Sequence, residues 1–205
     1  MRATFILLAL VSVASAEVPA PVARCRSLSR GLRDMRFYRG KILKPGDYTN
    51  KSCNARIERC AVVAKVAEDY GTTVMWAAMA LAFKESNFDL KRRGKDIEGA
   101  NGELGMMQVM VKTCLRFDDI SEEGVCQDPV EAGVRHLAAK LAQAKAKRCG
   151  KNAKCLAKYD PDDLRLALSY YNGTRGEITN YGREVAKWAV SAAKRHRRWK
   201  KRKGS

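Results

Sequence analysis

Apolar residues recur at helical spacing over most of the chain beyond residue 54. The pattern predicts a first helix from Asn54 to just before Gly71, with one face made of Ile57, Cys60, Ala61, Ala64 and Ala67. Neither strand-like alternation nor an internal repeat stands out. The chain is therefore predicted to form a mainly α-helical globular domain, in which the glycine-rich segment 94–105 is an irregular loop with room for a small β element.

The segment 74–83, VMWAAMALAF, is apolar on every side. A helix without a polar face is a buried helix, so we expect this one to lie inside the core. Thr72 or Thr73 is a candidate N-cap, and the apolar run ends at Lys84 and Glu85.

Two later helices carry clear start signals. Asp128-Pro129 and Asp160-Pro161 each place a capping carboxylate before a proline that needs no amide hydrogen, and Glu131 is positioned to bond back to the first turn. The composition also predicts a helix over 106–117. A last helix is predicted near 177–193, with an apolar stripe of Ile178, Tyr181, Val185, Trp188 and Ala192.

The two ends of the chain differ from the helical domain, which we place at residues 54–193. Residues 1–16 combine an early arginine, a short apolar run and a final Ala-Ser-Ala, which is typical of a cleaved signal peptide. Residues 17–53 are predicted to be a basic N-terminal arm, and residues 194–205 a solvated basic C-terminal tail. We therefore expect an exported protein, either periplasmic or secreted.

The chain is strongly cationic, with a formal net charge of +18. Such a charge favours polyanionic partners, so we expect the basic arms to bind an anionic cell-wall or membrane surface. Lysine and arginine also attract nucleic acid, but nothing in the sequence requires it as an obligate partner. The sequence leaves the oligomeric state open.

Seven cysteines all follow the predicted signal peptide, so an oxidising compartment would allow disulfides. The odd number leaves at least one thiol free or paired with another chain. Short loops favour Cys114 with Cys126 and Cys149 with Cys155, although spacing alone does not fix the connectivity. There is no CxxC motif, and the two histidines, His136 and His196, are apart from any cysteine pair. We therefore expect structural disulfides, with no metal and no cofactor.

Glu85 is the first candidate for chemistry. At the end of a buried helix, partial loss of hydration and the negative end of the helix dipole both raise the pKa of a carboxyl group. A carboxylic acid that keeps its proton near neutral pH is what cleavage of a glycosidic bond requires. The alternative is that Glu85 only marks the exit of the helix into solvent.

Five short blocks of sequence, taken together, favour the catalytic interpretation of Glu85. In order along the chain they are Glu85-Ser86, Gly105-Met106-Met107-Gln108, residues 132–137 (AGVRHL), Tyr170-Tyr171-Asn172-Gly173 and Asn180-Tyr181. In this order they resemble the soluble-type (SLT) lytic transglycosylases, whose lysozyme-like fold is shared with goose-type lysozymes. The resemblance covers about residues 57–190. It implies cleavage of the β-1,4 bond between N-acetylmuramic acid and N-acetylglucosamine in peptidoglycan, with formation of 1,6-anhydro ends.

The resemblance also implies a role for each matching residue. Glu85 would act as the catalytic acid and then as the base, and Ser86 would steady its carboxyl group. The remaining matches would bind the glycan or line its cleft: Gly105, Met106, Gln108, Tyr171, Asn172 and Tyr181. The hydroxyl of Tyr181 would lie near the catalytic carboxyl. One departure is that Gly173-Thr174 follows Asn172, where the family usually has Ala-Gly.

Two alternative functions remain open from the sequence. A lysozyme-type hydrolase would need a second acid to activate water, and Glu98 and Glu103 in the glycine-rich loop are the candidates. The position after the Gly-x-Met-Gln block, where goose-type enzymes carry another acid, holds Val109-Met110 here, which favours the transglycosylase. A noncatalytic cationic protein that only binds the cell wall is the third interpretation, and an intact Glu85 argues against it. His136 is expected to be a packing or surface residue.

Overall fold

The structure is a computed structural model that describes residues 50–88, 91–92, 95–96, 102–117 and 126–203. This part of the chain contains seven helices and two short antiparallel pairs of strands. The helices are α1 (Asn50–Glu68), α2 (Thr72–Ser86), α3 (Val111–Phe117), α4 (Pro129–Cys149), α5 (Ala153–Leu156), α6 (Pro161–Tyr171) and α7 (Asn180–Lys203). The strands are β1 (Lys91–Arg92), β2 (Lys95–Asp96), β3 (Glu103–Leu104) and β4 (Val109–Met110).

The prediction of a mainly α-helical domain with a small β element is confirmed. Strand β1 pairs antiparallel with β2, and β3 pairs antiparallel with β4, with Glu103 opposite Met110. The predicted signal peptide, the predicted N-terminal arm up to residue 49 and Glu98 lie outside the described residues. None of the described helices is both long enough and apolar enough to span a membrane.

Helix α2 lies inside the core, as its composition predicts. All nine residues from Val74 to Ala82 are buried, and α1, α4 and α7 pack around the helix. Helices on three sides leave no solvent-facing stripe, which is why this segment carries no polar residue until Lys84.

The predicted helix starts are confirmed in their main features. The carboxylate of Asp128 accepts hydrogen bonds from the amides of Val130 and Glu131, and that of Asp160 accepts one from Asp162. Glu131 does not complete a capping box, because its carboxylate accepts from the hydroxyl of Tyr70 at 2.6 Å. Neither threonine caps α2. Gly71 occupies the N-cap position and makes no side-chain bond there.

The segment after the glycine-rich loop differs from the prediction. Instead of a helix over 106–117, the chain forms the hairpin β3–β4 with a tight turn at residues 105–108, and α3 begins only at Val111. The turn is closed by the amide of Gln108, which donates to the carbonyl of Gly105 at 3.2 Å. Met106 and Met107 are buried by tertiary packing, so their apolar character does not reflect a helical face.

Both ends of the helical domain extend further than expected. Helix α1 begins at Asn50 rather than Asn54, and α7 continues to Lys203. The prediction that residues beyond 193 are a solvated tail is therefore wrong for residues 194–203. His196 is buried and packs against the rings of Trp76 and Trp199, with ring centres 5.5 and 5.7 Å away, so this part of the helix is part of the folded domain.

Covalent and ionic links fix the outer helices. The two preferred disulfides are confirmed: Cα atoms are 5.7 Å apart in Cys114–Cys126 and 5.5 Å apart in Cys149–Cys155. Arg148 forms a bidentate salt bridge with the buried carboxylate of Asp163, with nitrogen–oxygen distances of 2.8 and 2.6 Å. This pair joins the end of α4 to the start of α6, because a planar guanidinium matches both carboxylate oxygens at once.

Candidate active site

Glu85 lies in the last turn of α2, where the core helix reaches the surface, and it is half-buried. Asn87 and Phe88 follow with φ angles of 56° and 55°, a conformation that non-glycine residues rarely adopt. Phe88 is held in it by burial of its ring and by Arg59, which donates to its carbonyl at 3.0 Å. The backbone therefore turns sharply just after Glu85.

A tyrosine from another helix contacts this carboxylate. Tyr181, in the first turn of α7, donates its hydroxyl hydrogen to Oε1 of Glu85. The next residue, Gly182, lets α7 approach α6 closely. A Cβ at this position would lie 2.2 Å from Oγ of Ser169 and 2.3 Å from the carbonyl oxygen of Arg165. The position of Tyr181 thus depends on having a glycine, which has no side chain, at residue 182.

Burial dominates the proton affinity of Glu85. Loss of hydration raises the pKa of its carboxyl, and the charge of Glu103 raises it further. The hydrogen bond from Tyr181 and the charge of Lys84 lower that pKa, but the net direction is upward. Burial and the nearby Glu85 charge also raise the pKa of Tyr181, so its hydroxyl stays a donor. Glu85 therefore keeps its proton to a higher pH than an exposed glutamate.

Lys84 joins the same two helices beside Glu85. Its Nζ lies 2.6 Å from Oε2 of Glu184 and 5.3 Å from the ring centre of Trp188. Both partners are on α7, one and two turns after Tyr181. The lysine thus connects the turn that carries the acid to the helix that carries its tyrosine.

The turn at residues 105–108 packs against the end of α2. Ser86 donates its hydroxyl hydrogen to the carbonyls of Ala82 and Met106, at 3.0 and 2.8 Å. Its described hydrogen bonds therefore support the turn, whereas the resemblance assigned it to the carboxyl group of Glu85. The side-chain amide of Gln108 donates to the carbonyl of Gly105 at 2.9 Å. Gly105 has a φ of 65°, and a Cβ there would be 2.8 Å from Pro129.

Tyr171 holds the other side of this turn. It is half-buried, and its hydroxyl donates to the carbonyl of Met107 at 2.9 Å. Burial raises the pKa of Tyr171, and the charge of Glu85 adds to the effect, which puts the two side chains near each other. Gly133 on α4 leaves space for Met107, since a Cβ there would be 2.8 Å from its side chain.

His136 packs behind Tyr171. Its ring centre is 5.1 Å from that of Tyr171 and 5.5 Å from that of Phe117, and its buried Nδ1 has no hydrogen-bond partner in the described part of the chain. Burial and the charges of Lys140 and Arg116 lower the pKa of His136 to about 4. The ring is therefore neutral at neutral pH, which agrees with the expected packing role.

The structure thus brings most of the candidate residues together. Tyr181 is bonded to the carboxyl of Glu85, the charge of Glu103 acts on the pKa of Glu85, and the charge of Glu85 acts on that of Tyr171. The turn 105–108 is tied to the end of α2 through Ser86. Asn172 is exposed at the end of α6, and its described hydrogen bonds involve only the backbone amide. Among the described residues, no three His, Cys, Asp or Glu side chains form a group that could bind a metal ion.

Several residues that support this site were not identified from the sequence. Gly182 and Ser169 set the distance between α6 and α7, and Lys84 with Glu184 joins α2 to α7. The residues of each pair are far apart in sequence or belong to common residue types, so their role becomes visible only from their contacts in the folded protein. The sequence carries one signal for these contacts: a glycine inside a predicted helix, directly after Tyr181, indicates close packing at that position.

The comparison with protein families agrees with this geometry. The sequence model described as "Transglycosylase SLT domain" matches residues 63–193, more than half of the chain. Neither a curated protein nor a solved structure matches. The family assignment supports peptidoglycan lytic transglycosylase activity in general and implies peptidoglycan as the substrate. The chain therefore belongs to the SLT transglycosylase domain family.

Proposed function

We propose that this protein cleaves the β-1,4 bond between N-acetylmuramic acid and N-acetylglucosamine and leaves 1,6-anhydro ends. The observation that carries the proposal is the state of Glu85: half-buried, raised in pKa and bonded to the hydroxyl of Tyr181. One such carboxyl is sufficient for a transglycosylase, because the substrate's acetamido group replaces the second carboxylate.

Glu85 acts twice in this reaction. As an acid it gives its proton to the leaving oxygen of N-acetylglucosamine while the acetamido oxygen of the muramic acid forms a bond to the anomeric carbon. As a base it then takes the proton of the C6 hydroxyl, whose oxygen displaces the acetamido group and closes the anhydro ring. The proton returns to Glu85, and no water is consumed. Tyr181 stabilises the carboxylate between the two steps through its hydrogen bond.

Hydrolysis of the same bond is the second candidate, and Glu103 favours it. Its charge raises the pKa of Glu85, so the two carboxyl groups interact electrostatically. A carboxylate in that position could orient water. Glu98, the other candidate acid, lies outside the described residues.

We also propose that the protein acts outside the cytoplasm. The two described disulfides favour an oxidising compartment, and residues 1–16 have the composition of a signal peptide. The peptidoglycan substrate is in that compartment as well.

Products from a defined peptidoglycan glycan distinguish the two reactions. Mass spectrometry is expected to find 1,6-anhydro ends. Reducing ends, which are one water heavier, would assign the protein as a hydrolase. If Glu103 activates water, Glu103→Gln would abolish those reducing ends, whereas it would leave the anhydro product largely intact if Glu85 acts alone.

The substitution Glu85→Gln tests the role of the acid itself. We expect release of muropeptides from purified cell wall to fall about 100- to 10,000-fold, because the leaving oxygen loses its proton donor. Binding to the wall should persist. Glu177→Gln is the matched control, since Glu177 is exposed. Undiminished release by Glu85→Gln would reject the proposed chemistry and would leave a noncatalytic wall-binding protein as the better interpretation.

A further inference from the structure

A concave region lies far from Glu85, at the opposite end of the α2–α7 pair. It is a groove of about 470 Å³. Trp76, Leu164, Ala189 and Ala193 line it, and Arg197 and Lys200 contribute the charged part of its wall. His196 also lines the groove, fifteen residues after Tyr181, which corresponds to about 22 Å along α7. The groove is therefore separate from the candidate active site.

The helix beside the groove carries an unusual excess of positive charge. Six exposed lysines and arginines lie within residues 194–202, and no ion-pair partner for any of them occurs in the described ranges: Lys194, Arg197, Arg198, Lys200, Lys201 and Arg202. Like charges four residues apart, such as Lys194 with Arg198, repel on a helix surface. This end of α7 therefore has a strong attraction for an anion that the described residues do not satisfy.

Exposed apolar side chains lie at the same place. Tyr159 and Val190 line the groove and are 53% and 44% exposed. A polyanion that is polar throughout, such as a phosphate-bearing wall polymer, would use the cations but leave this apolar wall unoccupied. A ligand that matches both features carries an anionic group next to a hydrocarbon chain.

We propose that this end of α7 and the groove bind an anionic phospholipid surface. The headgroup phosphates would contact Arg197, Lys200 and the neighbouring cations, and part of one acyl chain would lie in the groove. Bound in this way, the domain would act on peptidoglycan from a fixed position at the membrane. The inference does not depend on which bond Glu85 cleaves.

Sedimentation with vesicles tests the headgroup contact. The full-length protein should bind phosphatidylglycerol vesicles at low salt and bind phosphatidylcholine vesicles much more weakly. Arg197→Gln with Lys200→Gln should weaken binding about 25-fold, since each cation near an anionic surface contributes roughly a factor of five. Lys151→Gln with Lys154→Gln removes the same charge from exposed positions away from the groove and should have little effect.

The groove is tested by changes that keep the charge. Ala193→Trp should fill the groove and weaken vesicle binding severalfold. Tyr159→Ser should weaken binding to a similar extent, because it removes part of the apolar wall at an exposed position. Melting temperatures and release of muropeptides from wall fragments in solution should stay close to wild type for Tyr159→Ser. These readouts separate the lipid site from the proposed catalytic function.

Three results would overturn the proposal. Equal binding to phosphatidylcholine would remove the role of the headgroup charge. A second contrary result would be that both groove variants bind vesicles as well as wild type while soluble polyphosphate competes completely. The cations would then bind a linear polyanion instead of a lipid. Concentration-dependent self-association that the groove variants abolish, in the absence of vesicles, would assign the groove to a second copy of the chain.

Discussion

The two ends of the helix pair α2 and α7 differ in whether their charged side chains have bonding partners. At one end Glu85 is bonded to Tyr181, and Lys84 is bonded to Glu184. At the other end, the lysines and arginines at residues 197–202 are exposed and have no ion-pair partner in the described residues. One end holds a single acid in a defined environment, and the other leaves its charge for an external partner.

The difference shows how a rigid helix pair can support two kinds of function. Chemistry at Glu85 needs a group whose pKa and position are fixed by several contacts, so the surrounding side chains are partly buried and bonded. Attraction of a surface needs only uncompensated charge, which works best when it stays solvated and unpaired. Changes at the Glu85 end should therefore alter the reaction, and changes at the cationic end should alter binding.

Among the residues that position or tune Glu85, the largest effect is expected from Gly182→Ala. The added methyl group would overlap Ser169 and the carbonyl of Arg165, so α7 must move away from α6. Overpacking of this kind costs about 1–3 kcal/mol of stability. The movement should also reduce activity about 100-fold, because it displaces Tyr181 from Glu85. Thermal unfolding and muropeptide release measure the two effects.

Ser191→Ala, further along α7, is the control and should leave both properties nearly unchanged. Wild-type activity in Gly182→Ala would contradict the idea that close approach of α6 and α7 positions Tyr181.

The next effect concerns the hydroxyl of Tyr181. Tyr181→Phe removes a hydrogen bond to a charged group worth about 1.5–3 kcal/mol, so kcat should fall roughly ten- to 100-fold. The bond lowers the pKa of Glu85, and its loss should move the alkaline limb of the pH–activity profile to higher pH. Vesicle binding at the other end of α7 should not change. An unchanged pH–activity profile in Tyr181→Phe would contradict the idea that Tyr181 lowers the pKa of Glu85.

Two neighbouring charges should shift the same profile in opposite directions. Glu85 must be protonated to act as an acid, so kcat/KM falls as pH rises through its pKa. Lys84→Met removes a charge that lowers this pKa and should move the fall to higher pH, whereas Glu103→Gln removes one that raises it and should move the fall to lower pH.

At fixed pH each of these changes should alter kcat/KM only about two- to fivefold, as expected for partly exposed charges. Lys112→Met, at an exposed position on α3, is the control. Shifts in the same direction for both variants would contradict the electrostatic account of Glu85.

The smallest effect is expected on stability, through His136. Its pKa is lowered to about 4 from an ordinary 6.5, so the unfolded chain binds a proton more readily than the folded one between these values. Stability from this residue is complete above pH 6.5 and is lost as pH falls toward 4. His136→Phe should reduce that loss by about 1 kcal/mol, after allowance for partial exposure. Urea unfolding at pH 5 and pH 7.5 measures the change, and an identical pH dependence in both proteins would reject it.

Much of the fold could be predicted because its signals are local. The apolar run 74–83 predicts a buried helix whatever surrounds it, and Asp128 and Asp160 before prolines mark helix starts that the structure confirms. The helix predicted over residues 106–117 includes a segment, 106–110, that forms a turn and strand β4, because its methionine and valine residues occur in either structure. The β3–β4 pairing is local, but the turn that it closes is held by contacts from other elements, namely Ser86 with the carbonyl of Met106 and Tyr171 with that of Met107.

The end of α7 was predicted wrongly for a related reason. A run of lysine and arginine has the composition of a solvated tail. Burial of His196 against Trp76, 120 residues earlier in the chain, keeps this run helical as part of the domain. The role of this charge in binding an anionic surface stays a prediction, whereas its helical shape and its apolar neighbours come from the fold.

The sequence by itself determined the mainly helical class, the position of Glu85 at the end of a buried helix and the family resemblance, because these depend on residue type and short-range order. The tertiary structure decided which groups surround Glu85: the hydroxyl of Tyr181, the charges of Lys84 and Glu103, and the close approach allowed by Gly182. The physical reason is that hydration and Coulomb interactions depend on distance through space, and residues nearly 100 positions apart become neighbours only when α2 and α7 pack together.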